Sequence, residues 1–199
     1  MKISIIAASH RTDSESKRIS KFIENNIVKL KTNLEVFSLD LANTGLPLWS
    51  PDKKNGKGIW GETWNSISKN LDSSDGFILI VPEYGGMATP IAKNLFLLCG
   101  NGEFAHKPGL ILSVSSGNGG AYPVAELRST SYKNTHIMWI PENLIIRNVE
   151  EFNPGNHGKN IPEWLDKRID YVLKLFIAYA DNMKPLRKII NRKDFGNGM

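Results

Sequence analysis

The amino-acid sequence predicts an α/β domain, a three-layer sandwich in which a five-stranded parallel sheet carries helices on both faces. Two observations lead to this fold class. Short, continuous apolar runs, typical of strands buried on both faces, alternate with longer segments of helical spacing. The alternation continues along the chain without an internal repeat or a low-complexity block. Such an order favours parallel strands joined by crossover helices.

Each predicted strand is a short apolar run that ends at polar or turn-forming residues. The first runs from Lys2 to Ala8 and stops at a polar Ser-His-Arg sequence. The third reads Gly-Phe-Ile-Leu-Ile-Val, a pattern typical of a central strand. The five predicted strands span residues 2–8, 34–39, 76–81, 110–115 and 136–140.

The predicted helices are marked by apolar stripes and by start signals. The first has one stripe, formed by Ile19, Phe22, Ile23, Ile27 and Leu30. Thr89 is a favourable N-cap before Pro90, and Asn160 with Glu163 resembles a capping box. The five predicted helices span residues 15–30, 60–71, 90–98, 121–131 and 161–183.

Composition is that of a soluble globular protein. The 199 residues are 41% hydrophobic and 23% charged, which fits one domain. The single cysteine, Cys99, excludes an intrachain disulfide, and we interpret it as a buried, inert thiol. No apolar run reaches the roughly 18 residues of a membrane span, and the first apolar run is too short for a signal peptide. We therefore expect a cytoplasmic protein with no membrane partner.

The positive charge is concentrated at the carboxyl terminus. The formal net charge is +5, but residues 184–199 carry five basic side chains and one acidic one, so the rest of the chain is nearly neutral. We therefore predict a single domain over residues 1–183 and a basic tail over residues 184–199. The tail is either solvated or in contact with an acidic partner. No basic face extends across the domain, which argues against a nucleic-acid partner.

The loop after the first strand has the composition of a phosphate site. Parallel sheets bind ligands beyond the carboxyl ends of their strands. Residues 9–16 contain no glycine but offer four hydroxyls, among them Ser9, Ser14 and Ser16, and the guanidinium of Arg11, next to a helix N-terminus. These donors suit a terminal phosphate. The alternative is that Ser14 or Asp13 merely caps the helix.

Two further loops at the same edge are rich in glycine. One reads Pro82-Glu83-Tyr84-Gly85-Gly86-Met87, and the other reads Ser115-Ser116-Gly117-Asn118-Gly119-Gly120-Ala121. Glycines let the backbone approach a flat ligand closely, and the Tyr84 side chain could lie along a ring. Taken alone, each loop is equally consistent with an ordinary turn. Three such loops at one edge of one sheet favour a shared binding site.

In combination, the three loops resemble those of the NAD(P)H-dependent FMN reductase family. The pattern Ser9-x-Arg11-x-x-Ser14-x-Ser16, then residues 82–86, then Ser115-Ser116-Gly117-x-Gly119-Gly120 lies in order between Met1 and about Arg147. The resemblance implies a flavodoxin-like fold that binds FMN without a covalent bond. It also implies two-electron reduction of the flavin by NADPH or NADH. Hydride transfer to a quinone, free flavin, azo dye or similar small acceptor would follow.

The resemblance also implies roles for single residues. Ser9, Arg11, Ser14 and Ser16 would hold the phosphate. The isoalloxazine ring would be wrapped by Pro82, Glu83, Tyr84, Gly85 and Gly86, and bordered on its other side by Ser115, Ser116, Gly117, Gly119 and Gly120. No catalytic side chain is assigned, because the flavin carries the redox chemistry. The chain departs from the common family pattern at Gly85 and Ser16, where asparagine is frequent, and at Leu97-Leu98, where many members have Asp-Trp.

Other sequence features are given less weight. Residues 56–61 spell G-x-G-x-x-G but follow no strand, so they do not predict a dinucleotide site. The four histidines are scattered without metal-ligand spacing. The resemblance implies a homodimer or homotetramer. The apolar segment Ile91 to Cys99 either meets a second subunit or is covered by loops of its own chain.

Two other functional classes remain open from the sequence alone. One is an FMN-binding electron carrier that passes electrons to a protein partner. The other is a non-catalytic family member that acts through protein contacts.

Overall fold

The computed structural model describes residues 1–152, 162–191 and 194 and contains one sheet between two helical layers. The strands are β1 (Lys2–Ala7), β2 (Glu35–Asp40), β3 (Gly76–Tyr84), β4 (Met87–Ala88), β5 (Pro108–Val114) and β6 (Met138–Ile146). The α-helices are α1 (Glu15–Leu30), α2 (Asn65–Ser73), α3 (Pro90–Leu98), α4 (Ala121–Thr130), α5 (Glu163–Asn182) and α6 (Lys184–Ile189). A π-helical turn over Trp60–Trp64 leads into α2.

The strand order confirms the predicted fold class. Five parallel strands lie in the order β2-β1-β3-β5-β6, and the two-residue β4 pairs antiparallel with the end of β3. This is the order of a flavodoxin-like, doubly wound sheet. β1 and β3 are adjacent, as are β3 and β5, so the loops that follow these three strands lie side by side.

The core consists of two apolar layers, one on each face of the sheet. Ile6, Leu79 and Ile111 belong to the layer beneath α2, α3 and α4. Their neighbours in sequence, such as Ile5 and Ile78, belong to the layer beneath α1 and α5. Successive strand residues point to opposite faces, so a strand covered on both sides is apolar at nearly every position. This is why the strands were recognisable as continuous apolar runs.

β6 begins later and runs further than the predicted strand over residues 136–140. Its pairing with β5 passes from Trp139 opposite Gly109 to Asn143 opposite Ile111, so extra residues bulge from the strand. Pro141 lies in this bulge. A proline is accommodated there because β6 is an edge strand, where a ladder hydrogen bond is not needed. The guanidinium of Arg128 donates to the carbonyl oxygens of residues 140 and 141 at 2.8 and 2.7 Å, which covers part of the exposed edge.

Part of the segment predicted as a basic tail, either solvated or in contact with an acidic partner, is helical and lies against the domain. Residues 184–189 form α6, and Arg187 donates to Asp75 at 2.8 Å. Lys184 lies 3.2 Å from the same carboxylate, which also accepts the backbone N–H of Lys2 at 3.0 Å. Residues 192–193 and 195–199, and Asn160 of the predicted capping box, lie outside the described residues. None of the described helices is both long enough and apolar enough to cross a membrane.

Candidate functional site

The three loops singled out in the sequence meet at the carboxyl edge of the sheet. The hydroxyls of Ser9 and Tyr84 are 3.0 Å apart and share a hydrogen bond. The hydroxyl of Thr89 donates to the carbonyl oxygen of Ala8 at 2.6 Å, which joins the start of α3 to the end of β1. These contacts fix the loop after β3 to the loop after β1.

In the loop after β1, Ser14 caps α1. Its hydroxyl accepts the N–H of Lys17 at 3.3 Å, so the alternative role considered for this residue is correct. A hydroxyl that accepts one bond can still donate another. Ser16, in the first turn of the helix, is 1% exposed, and its hydroxyl has no hydrogen-bond partner among the described residues. Buried hydroxyls are normally paired, so this donor indicates a missing partner.

The formal charges of this loop balance, so its attraction for an anion rests on the donors of Arg11 and of the helix N-terminus. Glu15, in the first turn of α1, is paired with Arg18. Arg11 is exposed, and its side chain makes no hydrogen bond or ion pair with any residue that the structure describes. Its backbone N–H donates to Ser9 at 3.1 Å, which shapes the turn. Asp13 is also exposed. The free N–H groups of a helix N-terminus add a positive field at this point.

The loop after β3 is a hairpin that sequence reasoning missed. Tyr84 pairs with Met87 across Gly85 and Gly86, which have φ of 58° and 74°. A two-residue hairpin with positive φ at both central positions is typical of a type I′ turn, which favours Asn-Gly or Gly-Gly. The departure at Gly85 from the asparagine common in the family therefore preserves the turn.

The carboxylate of Glu83 lies against the start of α4. It accepts the N–H of Gly120 at 2.7 Å and that of Tyr122 at 3.3 Å. A Cβ atom at Gly119 would lie 2.5 Å from the same carboxylate. Glu83 therefore acts as the N-terminal cap of α4, supplied by a neighbouring loop. Wrapping of a flavin ring by Glu83 stays a prediction.

The loop after β5 depends on close backbone packing. Gly120 has φ of 101°, and a Cβ there would lie 2.5 Å from Cγ2 of Ile145. The hydroxyl of Ser115 accepts the N–H of Gly117 at 3.3 Å. Ser116 and Gly117 are exposed at the rim.

Two residues near this loop were missed by sequence reasoning. Arg147, just after β6, donates through Nε to the carbonyl oxygens of residues 118 and 119 at 2.8 and 3.0 Å. Ser113, at the end of β5, is fully buried, and its hydroxyl has no partner among the described residues. Only its position at the carboxyl end of a predicted strand could have pointed to Ser113.

An ion pair supports the hairpin from below. The carboxylate of Glu126 in α4 accepts the N–H of Ala88 at 2.7 Å and lies 2.5 Å from Nζ of Lys93 in α3. Partial burial raises the pKa of Glu126, but the hydrogen bonds from Lys93 and Ala88, with the positive charge of Lys93, outweigh it. The net result is a pKa below the ordinary value. The carboxylate is therefore ionised at neutral pH and holds three elements together.

A family model places the chain among known proteins. The model of the NADPH-dependent FMN reductase family matches residues 1–151, which include all three loops. The chain belongs to this family. This confirms the resemblance inferred from the loop motifs. The protein is an oxidoreductase that uses FMN as cofactor and NADPH or NADH as electron donor.

Individual relatives match this chain over most of their length. An NADPH azoreductase from Bacillus sp. (strain OY1-2) is 23% identical over 190 residues, which cover 94% of this chain and 97% of the relative. FerB, a flavoenzyme NAD(P)H:(acceptor) oxidoreductase from Paracoccus denitrificans, has a TM-score of 0.71 at 20% identity and covers 92% of this chain and 98% of its own. The apo form of an NADH:FMN oxidoreductase, EmoB, has a TM-score of 0.67 at 12% identity, with 88% and 87% covered.

The residues of this FMN reductase fit the cofactor of its family. FMN ends in a phosphate, and the loop after β1 offers the unpartnered hydroxyl of Ser16 and the unpaired guanidinium of Arg11 beside the N-terminus of α1. The two other loops lie along the same edge of the sheet and expose Gly85, Gly86 and Gly117, which present backbone rather than side chains at the rim.

Proposed function

We propose that this FMN reductase reduces small acceptors, namely free flavins, quinones and azo compounds, by two-electron transfer through FMN held between the three loops. The observation that carries the proposal is the phosphate-binding chemistry of the loop after β1. There the donors of Ser16 and Arg11 lack partners among the described residues. FMN, when bound, supplies the hydride-accepting and hydride-donating chemistry.

In this proposal the side chains bind and orient rather than exchange protons. Arg11, Ser14 and Ser16 donate to the phosphate, and Ser9 shapes the turn through its bonds to Arg11 and Tyr84. The isoalloxazine ring is bordered on one side by residues 82–86 and on the other by Ser115, Ser116, Gly117, Gly119 and Gly120. Within the first set, Glu83 acts through the cap that it provides to α4.

The range of acceptors is supported by the relatives. One relative is named as an azoreductase, one as an NAD(P)H:acceptor oxidoreductase and one as an NADH:FMN oxidoreductase. The exposed rim of the loop after β5 is consistent with a ring face that is open to several planar molecules in turn. A site of this kind favours alternating hydride transfers, with donor and acceptor using the same face.

The first experiment is an absorbance spectrum of the purified protein after addition of FMN and desalting. Retained flavin bands that bleach anaerobically with NADPH or NADH, and return on addition of a quinone or azo dye, are the expected result. Retained flavin that neither nicotinamide reduces would contradict the enzymatic proposal. A stable semiquinone on partial reduction would instead assign the protein to the electron carriers.

The phosphate assignment has a separate test. Replacing Arg11 with alanine should weaken FMN binding by about 1.5–3 kcal/mol, roughly 10- to 150-fold, because a charge-assisted contact is lost. Binding of riboflavin, which lacks the phosphate, should not change. Lys69→Ala serves as a control because Lys69 is an exposed basic residue of α2, away from the loops. Equal losses of affinity for FMN and for riboflavin in the Arg11 variant would show that Arg11 does not bind the phosphate.

We also propose that the protein is a homodimer or homotetramer. Met87 in the hairpin and Tyr122 in α4 are 52% and 67% exposed, close to the loops that border the ring. A second copy covering these side chains would complete one wall of the site. Light scattering on the FMN-loaded protein should give a multiple of the 22.2 kDa chain mass. A Tyr122→Asp variant should shift that mass towards the single chain, and a monomeric wild-type protein would contradict the proposal.

A further inference from the structure

A second cavity lies away from the flavin loops, on the outer side of α3. It has a volume of about 390 Å³. Its floor is formed by Phe96 and Leu97, in the last turn of α3. With a rise of 1.5 Å per residue, these residues lie about 10 Å along the helix from the N-cap Thr89 at the carboxyl edge. A depression of about 300 Å³ between α3 and α4 shares Phe96 and Leu97 and continues the cavity as a groove.

The walls of this cavity are held in place by buried contacts. The side chain of Asn94, 6% exposed, accepts the N–H of Trp49 at 2.7 Å and donates to the carbonyl oxygen of Pro47 at 3.0 Å. Lys53 donates to the carbonyl oxygen of Leu98, and its Nζ lies 4.8 Å from the ring centre of Trp64. The segment that forms one wall is therefore anchored to α3 at two points.

The lining combines apolar faces with unbalanced positive charge. Trp49, 47% exposed, and the residues of α3 provide the apolar faces, and Lys53, Lys54 and Lys133 provide the charge. No carboxylate is among the described residues that line the cavity. Lys54 and Lys133 are exposed and form no ion pair within the described part of the chain. Two ammonium groups are therefore available to a ligand.

We propose that this cavity binds a small aromatic anion, one or two fused rings carrying a carboxylate or sulfonate, at a site separate from the flavin loops. The ring lies against Trp49 and Leu97, and the anionic group faces Lys54 and Lys133. The volume is within the range of about 300–1,000 Å³ typical of small-molecule sites.

The test uses the FMN-loaded protein and isothermal calorimetry with a matched pair of probes. Any binding of a probe to the open face of the flavin is the part that substitution of Lys54 and Lys133 leaves unchanged. Naphthalene-2-sulfonate carries the anion, and naphthalene-2-sulfonamide has nearly the same shape without the charge. The sulfonate should bind at least about tenfold more tightly, with one site per chain, since each tenfold corresponds to about 1.4 kcal/mol. Sulfonate binding that persists in FMN-free protein would show that the cavity binds its ligand whether or not the proposed flavin-dependent function is correct.

Variants separate this cavity from other surfaces. Lys54→Glu combined with Lys133→Glu should abolish the preference for the sulfonate, and Trp49→Ala should weaken both probes. Lys29→Glu combined with Lys69→Glu makes the same change in net charge elsewhere and should leave both affinities unchanged. Retained FMN in every variant shows that the fold is intact.

Three results would overturn the inference. Equal affinities for the two probes, or an unchanged preference in the Lys54 and Lys133 double variant, would show that the lysines do not recognise an anion. Absence of sulfonate binding, together with a loss of oligomeric mass in that double variant, would assign the groove to a second copy of the chain.

Discussion

Substitution of Glu83 tests whether this residue stabilises a loop of the protein or only contacts the flavin. Its carboxylate accepts N–H groups at 2.7 and 3.3 Å from the start of α4. Because these contacts are present without any ligand, replacing Glu83 with alanine should destabilise the FMN-free protein. A residue that only contacted the flavin would affect FMN binding and leave the stability of the FMN-free protein unchanged.

The magnitude follows from the two hydrogen bonds. Hydrogen bonds to a charged group contribute about 1.5–3 kcal/mol each, and the longer of the two is the weaker, so Glu83→Ala should lower the free energy of unfolding by about 2–4 kcal/mol. Glu83→Gln keeps an acceptor oxygen but loses the charge, and about half of that loss is expected. Urea denaturation of FMN-free protein, followed by circular dichroism, measures both values.

The control for this series is Glu62→Ala. Glu62 is exposed and its side chain makes no hydrogen bond or ion pair with the described residues, so a change within about 0.5 kcal/mol is expected. If Glu83→Ala lowered stability no more than Glu62→Ala, the capping role would be refuted. A loss of FMN affinity with unchanged stability would indicate that Glu83 contacts the flavin instead.

Three further predictions concern the loops and the core beneath them. The pKa of Glu126 is lowered by folding, so its stabilising effect is present near neutral pH and is lost as pH falls through the folded-state value. The unfolding free energies of wild type and Glu126→Gln should therefore differ by about 1 kcal/mol at pH 7 and converge as the pH falls below the lowered pKa of Glu126, and a constant difference would contradict this. Lys107→Met should lower the free energy of unfolding in urea by about 2–4 kcal/mol, because the carbonyl oxygens of residues 71, 72 and 103 lose the ammonium group that donates to them. A loss below about 1 kcal/mol would show that these carbonyl oxygens find other partners. Gly120→Ala should lower the stability of the FMN-free protein by at least about 1 kcal/mol, whereas Gly117→Ala, with open space around its Cβ, should leave that stability unchanged, and equal effects would argue against the packing at Gly120.

Elements whose signals are local in sequence could be predicted to the residue. The observed bounds of α1 and α3 are those predicted, because each begins at a capping hydroxyl, Ser14 or Thr89, that bonds to its own first turn. The apolar strands were recognisable because both faces of the sheet are covered. The convergence of the three loops followed from strand adjacency, which the parallel fold imposes.

Features that depend on distant contacts could not be predicted. β6 extends past Pro141 because Arg128 and the strand edge accommodate a bulge, and neither signal is visible around the proline itself. Glu83 meets Gly120 across 37 positions, and Arg147 meets the same loop across about 29. A carboxylate in a glycine-rich motif suggests ligand contact as readily as capping, so only the three-dimensional structure could assign it.

The binding roles stay predictions for the same reason. A local pattern of hydroxyls and one guanidinium predicts a phosphate site, and the structure adds that Ser16 is buried and unpartnered and that Ser14 has a second role as a cap. Which donors contact the phosphate is decided only when FMN is bound. Comparison of FMN and riboflavin binding by the Arg11→Ala variant tests this directly.

The carboxylate of Asp75 has a practical consequence for handling the protein. It binds the backbone of Lys2 and the side chain of Arg187, so the start of β1 and the helix α6 are fastened beside the start of β3. A linker attached at the amino end would therefore emerge at the edge of the sheet opposite the flavin loops. Immobilisation through such a linker should leave the redox edge facing solution.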